Sequence, residues 1–219
     1  MSITRPLCVP TTRATTRCTL TLCTLAAALT ASACGTLRGG GGSGGSSKIV
    51  SDTTASVYQT NLRTRAYTYH DDNTADIYLT DLSDAQLTAF FQKNADWSQI
   101  SGTLVHVHLF LDPKPGKTPI EPTAASASIR YAIISAGQIG IYDGAGFMLP
   151  GEKPGKDSIS GSFNAAPLRL TRATDGFSDP LTPARLTMSF DAKLNDLTAP
   201  ELQARIDALA SIAKPIFEP

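Results

Sequence analysis

The sequence predicts a mainly β fold, an antiparallel β-sandwich or a partly closed barrel of about seven to nine short strands, with two short helices of which the second is C-terminal. After residue 47, apolar or alternating runs are separated by Gly, Pro, Asp and Asn about every eight to twelve residues, which is typical of strands joined by turns. Signals for the start of a helix occur in two segments. A chain of 219 residues that is 42% hydrophobic is long enough for one or two domains with a core.

The first 33 residues have the layout of a secretory signal peptide. Three basic residues, Arg5, Arg13 and Arg17, precede an apolar run over 19–33, and no acidic residue lies in this segment. As a helix the run would be about 22 Å long, which is shorter than the roughly 30 Å hydrocarbon core of a bilayer. The sequence therefore predicts that residues 1–33 are a cleaved leader rather than a permanent transmembrane helix.

The end of this leader, Ala31-Ser32-Ala33-Cys34, resembles the lipobox of bacterial lipoprotein precursors, although Ala31 stands where leucine is commonest. In that family the cysteine sulfur receives a diacylglyceryl group and the leader is cleaved before the cysteine. The resemblance implies that Cys34 is the lipid-attachment residue and that the lipid bilayer is the partner, since two or more acyl chains anchor a protein stably.

The residue after Cys34 indicates in which membrane the protein would be anchored. Many inner-membrane lipoproteins of this family have aspartate there, whereas this chain has Gly35, which implies the outer membrane, facing the periplasm, as the location in the bacterial cell envelope. The alternative is an ordinary signal peptide that is cut near Ala33 and leaves a soluble periplasmic or secreted protein.

Residues 34–47 are predicted to be the lipid anchor and a flexible linker, and residues 48–219 a single β-rich domain. The run over 39–47 contains six glycines and three serines, a composition that favours a flexible tether. All four cysteines lie at or before position 34, so a chain that begins at Cys34 forms no internal disulfide. Residues 34–219 carry sixteen basic and nineteen acidic residues, a net charge of −3, which gives no electrostatic footprint for nucleic acid.

Strands are predicted in nine segments from their alternating or apolar patterns and their flanking turn residues. The polar stretch 71–74 is predicted to connect the first two segments as a hairpin, and 143–146 to form a turn before the sixth. The segments are 63–70, 75–80, 103–111, 127–135, 138–142, 147–149, 158–164, 168–172 and 185–191.

Each predicted helix begins with capping chemistry. Ser83 is the predicted N-cap of the first helix, with Gln86 completing a capping box and Leu82 and Leu87 forming a hydrophobic staple. In the second helix, Thr198 is the predicted N-cap, Glu201 occupies N3 and Pro200 lies in the first turn. The apolar stripe of this helix, which is expected to pack on the sheet, consists of Leu202, Ile206, Leu209 and Ala213.

The strand LVHVHLF places His106 and His108 on one face, about 7 Å apart, which is how several metal sites on strands are built. A third ligand is available from His70, Asp71 or Asp72 if the first hairpin lies nearby. A two-residue match constrains a site little, however, so the sequence favours a half-exposed strand face with no metal and no cofactor. The remaining carboxylates, among them Asp76 and Asp143, stand beside turn residues, where Asp is common for its local hydrogen bonds, and no acid-base pair is assigned among them.

Phosphate-loop and nucleophile-elbow motifs are incomplete in this chain, so no catalytic residue is assigned. The expected function is that of a membrane-anchored envelope lipoprotein whose β-domain binds or scaffolds an envelope protein or a small ligand. The alternative is an exported hydrolase or metal-dependent enzyme that uses the face of His106 and His108.

Overall fold

The computed structural model describes residues 44–92, 96–110 and 125–216. In these residues it is mainly β, with ten strands and two α-helices, the second of them C-terminal, as the sequence predicts. The strands are β1 (Gly45–Ser51), β2 (Val57–Leu62), β3 (Thr64–Asp71), β4 (Thr74–Thr80), β5 (Gly102–Phe110), β6 (Ala127–Ser135), β7 (Gln138–Gly146), β8 (Ser158–Ala173), β9 (Ala184–Leu194) and β10 (Lys214–Pro215), and the helices are α1 (Asp84–Phe91) and α2 (Thr198–Ile212).

The strands form one mixed, mostly antiparallel sheet in the order β10-β8-β7-β6-β5-β4-β3-β9-β1-β2. β8 also pairs with β9, and β9 pairs in parallel with β3. The pairings therefore run from β3 through β4, β5, β6, β7, β8 and β9 back to β3, while β1 and β2 extend the sheet beyond β9. In this circuit β4 and β5 are interior strands with a partner on each side.

Two apolar clusters lie on opposite faces of the sheet. The first gathers residues of nearly every strand on the inner face, including the fully buried Tyr67, Tyr131 and Tyr142. The second lies on the outer face, where Tyr78 of β4 and Leu104 of β5 meet the buried side chains of α1 and α2. Because side chains alternate along a strand, β4 is buried on both faces over most of its length.

Most predicted strands are confirmed, but the sequence misses three and misplaces one. The segments 158–164 and 168–172 are one long strand, β8, whose pairing with β9 shifts register between Phe163 and Ala166. Residues 147–149 are not a strand, and 143–146 are not a turn, because β7 continues through Gly146 in register with β6. The missed strands are β1, β2 and β10.

Strand β1 begins at Gly45, so residues 45–47, predicted to be part of the linker, belong to the sheet. Ser47 is buried and its hydroxyl lies 2.7 Å from the hydroxyl of Tyr131. A serine whose hydroxyl is satisfied in this way fits a half-buried strand at little cost. The predicted leader, Cys34 and the linker up to residue 43 lie outside the described residues. Among the described helices, none has the length and apolarity needed to cross a membrane.

The predicted cap of α1 is confirmed in full. The N–H of Ser83 donates to Gln86 Oε1 at 3.0 Å and the N–H of Gln86 donates to the Ser83 hydroxyl at 3.4 Å, which completes the capping box. Leu82 and Leu87 are both buried in the outer cluster.

The predicted cap of α2 is wrong, although its buried stripe is confirmed. The helix begins at Thr198 itself, and Asn195 Oδ1 accepts hydrogen bonds from the N–H groups of Leu197 and Thr198 at 3.1 and 2.9 Å. An asparagine side chain satisfies the free N–H groups at a helix start as well as threonine does, so the chain needs no cap from Thr198. The buried residues of the stripe are Leu202, Ile206, Leu209 and Ala213.

Asn195→Ala is expected to lower the free energy of unfolding by about 1 kcal/mol, because two N–H groups of α2 lose their acceptor. Thr198→Ala serves as the matched variant and is expected to change it by less than about 0.5 kcal/mol. Urea denaturation of both variants measures the difference. A larger loss for Thr198→Ala than for Asn195→Ala would contradict this assignment of the cap.

Candidate functional site

The three histidines of the chain all contact one carboxylate, that of Asp76 on β4. Asp76 lies opposite His108 in the antiparallel pairing of β4 with β5, and His106 lies two residues further along the same face of β5. His70 comes from the end of β3, where the pairing with β4 shifts register between Tyr69 and Asp71. An irregularity of this kind re-aims a side chain, and here it accompanies the turn of His70 toward Asp76.

The hydrogen bonds to Asp76 are short. The Nε2 of His106 lies 2.7 Å and the Nδ1 of His108 2.8 Å from Asp76 Oδ1, while the Nε2 of His70 lies 2.6 Å from Oδ2. Because an ionised carboxylate only accepts hydrogen bonds, each of these three nitrogens donates its N–H. The tautomers follow: in the neutral rings the lone pair lies on Nδ1 of His70 and His106 and on Nε2 of His108.

Asp76 is buried while its partners reach the surface. Its side chain is 11% exposed, whereas those of His106, His108 and His70 are 22%, 38% and 59% exposed. Burial raises the pKa of Asp76, but the hydrogen bonds from His106, His70 and His108 outweigh that effect, so the pKa lies well below its usual value. The carboxylate is therefore ionised and available as a ligand throughout the neutral range.

Tyr78 forms the floor beneath His106. The two rings stack with centroids 4.7 Å apart and planes 7° from parallel. The phenol hydroxyl of Tyr78 is buried, and no partner for it lies among the described residues. Its pKa is raised by burial and by the negative charges of Asp76 and Asp207. Tyr78 thus keeps its proton, and the stacking of its ring sets the plane of the His106 ring.

Asp76, His106 and His108 fit a metal ion of the zinc type. One ligand atom from each of the three lies within 4.8 Å of the other two. Imidazole nitrogen and carboxylate oxygen are ordinary zinc ligands, at about 2.0–2.1 Å. In a tetrahedral site the N···O separations would be about 3.3 Å, so the hydrogen-bonded pairs need to open by only about 0.6 Å. When a metal takes the place of the shared proton, each neutral ring would carry its proton on the other nitrogen, Nδ1 of His106 and Nε2 of His108.

A cleft of about 370 Å³ adjoins the two histidines of β5. Across β6 and β7 it is lined by Ser128, Arg130 and Asp143. Arg130 is held in place by Asp143, whose Oδ1 accepts from Arg130 Nε at 3.0 Å and whose Oδ2 accepts from the Thr171 hydroxyl at 2.6 Å. The site thus combines two imidazoles, a buried carboxylate and a fixed guanidinium on one surface.

The structure brings together His70, His106 and His108, the three histidines named from the sequence. Asp71, proposed as another source of a ligand, instead accepts a hydrogen bond from the N–H of Asn73 inside the hairpin turn. Asp76 is the residue that sequence reasoning missed, because its position beside that turn was sufficient to explain an aspartate there. Aspartate is uncommon inside strands, so a lone aspartate between Ala75 and Ile77 was a usable signal.

Comparisons with protein-family models, with curated proteins and with solved structures give no match for this chain. The function proposed below therefore rests on the geometry of this site and on the N-terminal motif.

Asp76→Asn is expected to lower the free energy of unfolding at pH 7 by about 2 to 3 kcal/mol in the presence of a chelator. The lowered pKa of Asp76 adds stability that is complete above its unfolded pKa of about 3.9 and is lost as the pH falls below that value. The difference between wild type and variant should therefore shrink between about pH 5 and pH 2.

Urea denaturation at several pH values measures this difference, with Asp175→Asn as the control, because Asp175 belongs to an exposed ion pair with Lys214. A difference that stays constant from pH 7 to pH 2 would show that the carboxylate charge is not what stabilises the cluster.

Proposed function

We propose that this chain is a lipid-anchored protein of the bacterial cell envelope whose β-domain binds a divalent transition-metal ion such as Zn²⁺. The metal would be held by Asp76, His106 and His108, with His70 supporting Asp76 from its other oxygen. The observation that carries this proposal is that every histidine of the chain donates to the same buried carboxylate.

The competing explanation is a purely structural hydrogen-bonded cluster. The partial exposure of the histidines favours a site that binds a ligand over a purely structural cluster. Here three of the most versatile metal-ligating side chains surround the carboxylate at the surface, where an ion has access to them. Asp76 is also held by strong hydrogen bonds before any metal binds, which sets the orientation of each ring.

The anchoring part of the proposal is supported by the leader, by the lipobox-like residues ending at Cys34 and by the absence of later cysteines from the sequence. The domain starts at Gly45, so ten residues separate it from Cys34. A glycine-rich segment of this length spans about 17 Å on average, which is enough to carry the domain beside a lipid surface. The metal site would then work at the membrane surface of the envelope, the outer membrane being favoured by Gly35.

The alternative of a metal-dependent hydrolase uses the same site. Three protein ligands leave one tetrahedral position for water, which is the arrangement of catalytic zinc centres. A hydrolase of this kind would activate that water by lowering its pKa. Hydrolysis of an ester by the zinc-loaded wild type, abolished in Asp76→Asn, would favour the hydrolase over a binding protein.

Calorimetric titration with Zn²⁺ of the purified, untagged protein is expected to show one site with micromolar or tighter affinity. His106→Gln and Asp76→Asn should weaken it at least a hundredfold, because each removes a direct ligand. His70→Gln is the matched variant and should weaken it only about tenfold, because it removes a hydrogen bond to a ligand. All variants keep the same cysteines as the wild type, so heat from thiols is common to them. Equal heats in wild type and His106→Gln, or none in either, would contradict the metal site.

Intact-mass spectrometry of the protein purified from its native membrane is expected to give a chain that begins at Cys34 and carries a diacylglyceryl group. Cys34→Ala should abolish the modification and release or mislocalise the protein, whereas Cys23→Ala, inside the predicted leader, should change neither. An unmodified N-terminus at Cys34, or a chain that starts elsewhere, would contradict the anchoring proposal.

A further inference from the structure

The cleft beside His106 and His108 has a shape that follows from the sequence of β7. Arg130 lies opposite His106 on one side and Asp143 on the other, so these three side chains form one row across β5, β6 and β7. In the next row His108 lies opposite Ser128, and Ser128 lies opposite Ala145. Ser128 on β6 and its neighbour Ala145 on β7 have small side chains. They leave the cleft open between the histidines and Arg130.

Arg130 is oriented by its neighbours and presents the end of its guanidinium. Its Nε donates to Asp143, and Asp143 is itself fixed by the Thr171 hydroxyl. This ion pair uses Nε, and among the described residues the two terminal amino groups make no hydrogen bond; their geometry matches the oxygens of a carboxylate or phosphate. The side chain is 36% exposed, so a ligand in the cleft can reach it.

The charges of the site make anion binding depend on the metal. Without an ion, the negative charges of Asp76 and Asp143 balance the positive charges of Arg130 and of Arg169, which lies opposite Asp143 on β8, so the surface has no net positive charge to attract an anion. A divalent ion bound by neutral imidazoles and Asp76 turns this surface net positive. Neighbouring strands are about 4.8 Å apart, so an ion held between β4 and β5 lies about 7 Å from β6, a distance that an oxyanion and the long side chain of Arg130 can bridge together.

We propose that this cleft is a binding site for an oxyanion, a phosphate or carboxylate group, which coordinates the bound metal through one oxygen and accepts hydrogen bonds from Arg130 through another. This inference rests on the proposed metal site. On this proposal, the domain recognises an anionic group, and it binds this group only when the metal is bound. By linkage, the oxyanion tightens metal binding by the same factor by which the metal tightens oxyanion binding.

The test uses Co²⁺ in place of Zn²⁺, because the visible absorption of Co²⁺ reports directly on its ligands. Purified protein is first titrated with Co²⁺, and the loaded protein is then titrated separately with inorganic phosphate and with acetate. We expect a saturable change in the Co²⁺ spectrum with at least one of the two anions, and the anion that gives it identifies the ligand as phosphate or carboxylate.

Arg130→Gln is expected to bind Co²⁺ with an affinity within threefold of wild type and to lose at least tenfold in affinity for the anion. Arg185→Gln is the matched control, because Arg185 makes an ion pair of the same geometry, Nε to Asp52 Oδ1 at 3.1 Å, on β9. Its affinities for Co²⁺ and for the anion should equal those of wild type. Arg130→Lys keeps the positive charge but lacks the paired amino groups of a guanidinium. Its affinity for the anion should lie between those of wild type and Arg130→Gln.

The outcomes separate the two proposals. A protein that takes up Co²⁺ and shows no spectral response to either anion overturns the oxyanion site and leaves the metal site standing. An unchanged anion affinity in Arg130→Gln overturns the part played by Arg130. A protein that takes up no Co²⁺ overturns the proposed metal function and this inference with it.

Discussion

The hydrogen bonds that Asp76 accepts from three imidazoles connect the fold of this protein to the chemistry of its candidate site. A carboxylate buried on the outer face of β4 would destabilise the fold if it were unpaired. The chain supplies partners from β3 and from β5, the two strands that flank β4. The same three donors are side chains that can ligate a metal, so the interaction that makes the buried charge tolerable also assembles the proposed metal site.

The position of this site follows from how the outer face is divided. Helix α2 and the shorter α1 cover the part of the sheet around Tyr78 and Leu104, where the side chains are apolar. Beyond that cover the outer face turns polar, from Asp76 across β5 to Arg130 and Asp143. The inner face is mainly apolar, and its buried polar residues such as Ser47 and Thr103 are hydrogen-bonded, so the polar groups of the outer face lie outside the core. The pairing of the four strands from β4 to β7 thus sets the spacing between the proposed metal ligands, Arg130 and Asp143.

Much of the fold could be predicted from the sequence, because strand alternation and capping boxes are local signals. The α1 cap depends on residues three apart, and it was predicted correctly. Strand β1 was missed because its first residues look like a linker, and only Tyr131, distant in sequence, explains why Ser47 is buried. The candidate site was harder to predict from the sequence. The histidines could be named, but the register that sets Asp76 opposite His108 depends on a long connection containing α1, which no local pattern fixes.

The most direct test of the central claim is a crystal structure of the zinc-loaded protein with anomalous diffraction recorded at the zinc edge. The account predicts a single strong anomalous peak at Asp76, within about 2.0–2.2 Å of His106 Nε2, His108 Nδ1 and an oxygen of Asp76. It also predicts that His70 stays hydrogen-bonded to the other oxygen of that carboxylate. Crystals grown in saturating zinc that show no peak there, with all three histidines still donating to Asp76, would contradict it.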